Sequence, residues 1–183
     1  MKRTLTGTYA AAYLSRQDRE AIHEFLSYGW GIDPSSIVTN LHLTLYTAPM
    51  HLPSVRETRE DIEIECDVSE TRFMLMAPGG ENPRPELAPS QNKVGIRFTR
   101  RNVGIEAIHS LRQRVCYYET SEIIGSRQPS GRQNNAFGAR QYQPHMTLLR
   151  RGAIFEADLS EIGAAFRNAF QYIRFDTFII KVS

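Results

Sequence analysis

Two short stretches constrain this chain more than anything else in it. Leu41–Tyr46 (LHLTLY) and Tyr142–Arg150 (YQPHMTLLR) each place His-x-Thr directly before a leucine, inside an apolar run. Runs of this length and composition read as β-strands. Side chains alternate faces along a strand, so each His and the Thr two places on share one face, about 6–7 Å apart. Leu43, Leu45, Met146 and Leu148 point the other way, towards a core. Two such strands brought together would gather His42, His145, Thr44 and Thr147 around one cleft.

The rest of the chain supplies elements to hold them. Residues 7–14 (GTYAAAYL) read as a strand with Tyr9, Ala11 and Tyr13 on one face. Ser15 followed by Asp18 marks a helix N-terminus, Ile22, Phe25 and Leu26 give that helix an apolar stripe, and Gly29 ends it. His23 lies off the stripe, where solvent is expected. Residues 37–46 form the first motif strand, and 49–60 read as loop or a short turn of helix, His51 included. Strands follow at 62–66, 72–77 and 92–99, the last two separated by a proline-rich loop at 78–89. A helix spans 102–118 with Ile105, Ile108, Leu111 and Val115 inward, and His109 falls beside that stripe in a structural position. Residues 121–143 are polar, carry Arg127, Arg132 and Arg140, and read as a lid or substrate-facing loop or as plain disorder. The second motif strand, a helix at 158–170 and a strand at 172–182 complete the order.

This is enough chain for one domain with a sizeable interior, spanning residues 1–183. A net charge of +2 excludes bulk nucleic-acid binding by charge alone. Only Lys2, Lys93 and Lys181 are lysine among 22 basic residues. Arginine is the better bidentate partner for phosphate, although a G+C-rich gene produces the same bias. Cys66 and Cys116 sit in no motif, so buried thiols in a reducing cytoplasm are expected. No apolar run reaches the roughly 20 residues that a membrane-spanning helix needs.

Two histidines and two hydroxyls suit phosphodiester chemistry. Imidazole titrates near pH 6.5, so a pair can hold one base and one acid together near neutrality. Threonine hydroxyls can donate to phosphate oxygens as charge develops on them. No metal is called for, since neither histidine has a carboxylate or thiol beside it at ligand spacing. By parity Tyr46 continues the face of His42 and Thr44, and Arg151 that of His145 and Thr147, whereas Arg150 faces away. Tyr46, Tyr142, Tyr9 and Tyr13 are candidates for stacking on a base or for ordinary packing, and Arg140 and Arg151 for pairing with phosphate or for plain solvation.

The paired His-x-Thr-Leu strands, with the aromatic-x-Pro lead-in Tyr142-Gln143-Pro144 to the second, resemble the 2H phosphoesterase superfamily. That group includes the 2′-5′ RNA ligases and cyclic nucleotide phosphodiesterases. The resemblance implies an α+β fold, bilobal, with two antiparallel sheets and flanking helices in pseudo-two-fold arrangement around a central cleft. It makes His42 and His145 the catalytic pair, and Thr44 and Thr147 the hydroxyls that grip phosphate. Tyr142 stands where the family more often has Phe. The activity it implies is metal-independent hydrolysis of 2′,3′-cyclic or 2′-5′-linked nucleotides or RNA ends, or of cyclic oligonucleotides, by a cytoplasmic monomer without cofactor. The alternative is a nucleotide- or RNA-binding module that keeps the cleft without turnover.

Overall fold

The computed structural model describes residues 7–48, 55–76, 93–123, 142–153 and 158–182. Segment 78–89, Arg140 with most of the 121–143 stretch, and His51 lie outside them. The strands are β1 (Thr8–Leu14), β2 (His42–Ala48), β3 (Thr58–Asp67), β4 (Thr71–Met76), β5 (Lys93–Phe98), β6 (His145–Leu149) and β7 (Tyr172–Val182). The helices are α1 (Arg16–Glu24), α2 (Ile105–Ile123) and α3 (Leu159–Ala169). The fold is α+β, as expected. The described strands do not form two sheets, however. All seven lie in one, ordered β3-β7-β1-β2-β6-β5-β4, and every pairing is antiparallel. The reason is that β2 and β6 pair with each other, Leu43 opposite Met146, which joins what were expected to be separate halves. The motif strands are thus neighbours in the middle of the sheet.

One face of the sheet is the core. Ala10, Ala12 and Leu14 of β1, Leu43 and Leu45 of β2, Ile96 of β5, Met146 of β6 and Phe178 of β7 are all buried in one cluster. Helix α2 packs there through Ile108, Leu111 and Val115, the stripe its sequence marks out. Its Arg114 lies over the ring of Phe178, 5.1 Å from the centroid. Phe166 of α3 meets Phe73 of β4 and Phe25 beyond α1 edge-on. Burying each such side chain is worth about 1.5–3 kcal/mol, so this face sets the orientation of the other. Inward residues of β7 switch from Ile173 and Phe175 to Phe178 and Ile180, because the register with β1 slips between Tyr13 and Leu14. A bulge changes parity in this way.

Ser15 caps α1 by accepting from the Asp18 amide at 3.2 Å. The Asp18 carboxylate in turn accepts from the Arg174 amide at 2.7 Å, which ties the helix start to β7. The helix ends at Gly29, as expected, but not as a regular α-helix. It widens into a π-turn over Phe25–Gly29, and Gly31, at φ +65°, turns the chain away. His23 is half-buried off the stripe, its Nε2 2.9 Å from the Val38 carbonyl. Strand β3 begins at Thr58, inside the stretch read as loop or helical turn. Helix α2 runs to Ile123, past Ser121 where loop or disorder was expected. Among the described residues, no helix is long and apolar enough to cross a membrane.

Candidate active site

The Leu43–Met146 pair is the key to the site. With those two side chains in the core, the residues flanking them point to the opposite face. Antiparallel register then sets His42 opposite Thr147, and Thr44 opposite His145. The four form a two-by-two block on one side of the sheet, each half-buried. Residues directly opposite in such a pair are about 4.5–5.5 Å apart, and diagonal ones about 7–8 Å. The two imidazoles occupy one diagonal and the two hydroxyls the other.

Both rings are held alike. His42 Nδ1 lies 2.7 Å from the Asn40 carbonyl, and His145 Nδ1 lies 2.9 Å from the Gln143 carbonyl. A carbonyl can only accept, so in each case Nδ1 carries the hydrogen and donates. The second nitrogen, Nε2, is left for other chemistry, as an acceptor when the ring is neutral and a donor when it is charged. Burial pushes the His145 pKa below its ordinary value, opposed by the hydrogen bond to Gln143, which favours the charged ring. Positive charge on Lys93 and on His42 pushes it down further.

Strand β1 forms one wall. Tyr13 pairs with His42 and Ala11 with Thr44. The Tyr13 ring lies 5.2 Å from the His42 ring, and Tyr9 meets it edge-on at 6.3 Å. The Tyr9 hydroxyl is 3.5 Å from Thr44 Oγ1, and burial raises its pKa, keeping the phenol protonated. Both tyrosines are therefore beside the motif residues, on the face their parity implies.

Strand β5 forms the other wall, and sequence reasoning missed it. Arg97 pairs with His145, and Gly95 with Thr147. Lys93, Gly95 and Arg97 share a face by alternation, so a cation stands on either side of the position opposite Thr147. The alternation Lys-x-Gly-x-Arg is visible in the chain, but only the pairing with β6 gives it a location.

Two expectations fail. Tyr46 does not continue the face of Thr44. A bulge between Ala10 and Ala11 leaves Leu45 unopposed and pairs Tyr46 with Ala10, so Tyr46 goes into the core at 2 % exposure. Arg151 does not follow the parity of His145, because the strand ends at Leu149. It is exposed in a turn with Gly152, which has φ +86°. Arg150, exposed just past the end of the strand, reaches Thr39 Oγ1 at 3.3 Å. Arg140 lies outside the described residues.

Tyr142 takes the packing role of its two readings, not the stacking one. Its hydroxyl donates to the Thr44 carbonyl at 2.9 Å, and the Arg112 guanidinium lies 4.6 Å from its ring centroid. His109 meets the same ring edge-on at 5.9 Å, in the structural position read for it. Tyr142 thus braces the motif strand from α2. No protein-family model matches the chain, and no curated protein matches its sequence, so the resemblance rests on the two motifs themselves.

Proposed function

We propose that this protein is a 2H-type phosphodiesterase that opens 2′,3′-cyclic phosphates, or cleaves 2′-5′-linked nucleotides or RNA ends, by two-histidine acid/base catalysis. The observation that carries the reading is the block of His42, Thr147, Thr44 and His145 on one face, with both Nδ1 atoms anchored to carbonyls two residues upstream. Matched anchoring leaves two Nε2 atoms free to work on a single phosphate. The two motifs also meet across one antiparallel pair, a local counterpart of the pseudo-two-fold arrangement the family suggests.

In hydrolysis of a 2′,3′-cyclic phosphate, His145 is the base. Burial and neighbouring positive charge favour its neutral form, and its Nε2 takes a proton from the attacking water as oxygen bonds to phosphorus. His42 is the acid and gives the proton on its Nε2 to the departing ribose oxygen. The imidazole pair ends with its proton shifted from one ring to the other, and solvent restores it. Each proton transfer of this kind contributes about 10²–10⁴-fold.

The threonines steady the charge that builds on the non-bridging oxygens. Tyr9, kept protonated, donates to Thr44 Oγ1 in this scheme, which leaves the threonine its own hydrogen for the phosphate. Tyr13, against the His42 ring, offers a face to a base. No step calls on a metal or cofactor. All four motif residues belong to one chain, so a monomer suffices. A reducing cytoplasm suits Cys66, which is buried and free, with its thiol pushed up to about 12 by burial and by Asp67 and Glu65.

The test is a substrate panel of 2′,3′-cyclic nucleotides, 2′-5′-linked dinucleotides, RNA ends and cyclic oligonucleotides, assayed with chelator present. Turnover that depends on both histidines supports the proposal. Binding of nucleotide with no turnover of any class would instead favour a non-catalytic binding module.

A further inference from the structure

The site has two unlike flanks. On the β1 side the neighbours of the motif residues are Tyr13, Ala11 and Tyr9. The nearest cation by register there is Lys181, beyond Tyr9 on β7. On the β5 side stand Lys93 and Arg97, with only Gly95 between them on that face. Among the described residues, neither Lys93 nor Arg97 makes an ion pair. The next residue across, Arg72, pairs with Arg97 in register and is itself committed to the Ser69 and Thr71 carbonyls. Among the described residues, positive charge without an ion-pair partner therefore borders His145 and Thr147 on one side alone.

Spacing says what such a flank would hold. Neighbouring strands are about 4.8 Å apart. The phosphate gripped between β2 and β6 would thus lie roughly 7 Å from the line of β5. That is close to the distance between successive phosphates of an extended nucleotide strand. We infer that Lys93 and Arg97 form a subsite for a second phosphate, one linkage from the scissile one. The preferred substrate is then an oligonucleotide end rather than a lone cyclic mononucleotide. This inference rests on the phosphodiesterase reading. It adds polarity to it, with bases towards the tyrosines of β1 and the continuing backbone over β5.

The experiment compares two dinucleotides that end in a 2′,3′-cyclic phosphate. One has a normal internal phosphodiester and the other a neutral methylphosphonate at the same linkage. Wild-type protein should favour the charged linkage about 10-fold or more in kcat/KM, the scale of one charge-assisted hydrogen bond. In Lys93→Met/Arg97→Met the ratio should fall close to unity. Because the ratio is taken within each protein, any loss common to both substrates cancels.

Binding of the same pair to His42→Ala/His145→Ala protein, by calorimetry, reads the preference without turnover. Absence of turnover with a charge preference in binding sinks the enzyme reading and keeps the subsite. Equal treatment of the two linkages by wild type, or a preference that survives removal of both cations, overturns the subsite, including the case where Lys93 and Arg97 serve the scissile phosphate.

Discussion

His42 and His145 present their rings in the same way although they come from opposite halves of the chain. Each Nδ1 donates to the carbonyl two residues upstream, Asn40 for one and Gln143 for the other. The hydrogen bond selects the tautomer and stops the ring from turning, so Nε2 is aimed before any ligand arrives. Such preorganisation is what a proton-transfer site needs. His42 and His145 differ in their surroundings, tyrosine on one side and cations on the other, and in the proposed mechanism that difference separates their roles.

The pH dependence follows from that asymmetry. Burial, Lys93 and His42 all lower the pKa of His145, so the acid limb of kcat/KM should fall below the ordinary imidazole value near 6.5. Removing the charge in Lys93→Met should move that limb upwards. An NMR titration of the His145 ring protons checks both directions. Stability should respond with the matching sign. A ring that resists protonation when folded leaves the unfolded chain holding more protons at acid pH. This contribution is complete above about 6.5 and is lost as pH falls from there through the lower pKa of the folded ring.

Tyr142→Phe keeps the ring under Arg112 but loses the bond to the Thr44 carbonyl. A net cost of about 1 kcal/mol is expected for one such hydrogen bond. For a chain of this size that corresponds to a fall in Tm of roughly 2–4 °C. Scanning calorimetry measures it, and an unchanged Tm would mean the bond contributes nothing.

Gly95→Ala tests how tightly β5 abuts the site. A Cβ there would come within 2.5 Å of the Met146 carbonyl oxygen and of the Met76 terminal methyl. The methionine can swing aside, but the carbonyl belongs to the strand that carries His145 and Thr147. Overpacking of this kind costs about 1–3 kcal/mol. A shift of the motif strand by an ångström can cost up to about 100-fold in rate. Denaturant melts with steady-state kinetics separate the two effects.

Turnover should be indifferent to chelators, since every proposed step uses side chains alone. Assays with and without EDTA should agree within error. A loss reversed by adding a divalent cation would require a different mechanism.

Much of the site could be read from the chain, for reasons that also explain the rest. The motif residues and the tyrosines of β1 sit where alternation puts them, because those segments are regular. Tyr46 and Arg151 do not, because a bulge at Leu45 and the end of β6 at Leu149 break the period on which parity depends. No local pattern announces either event. Lys93 and Arg97 were invisible as site residues because their place depends on register between strands far apart in sequence. The same is true of the single sheet: pairing of Leu43 with Met146 is a tertiary choice made by the core. Tyr142 was read as a surface for bases or as packing, and its hydroxyl and the charge of Arg112 tie it into the structure.

The most direct test of the account is cleavage of the substrate panel by wild type, His42→Ala and His145→Ala, each first shown to fold by circular dichroism. Wild type should turn over at least one class of 2′,3′-cyclic or 2′-5′-linked substrate, and each variant should lose about 10²–10⁴-fold in kcat. Full turnover by either variant, or no cleavage by wild type, would contradict the pairing of two imidazoles on one phosphate.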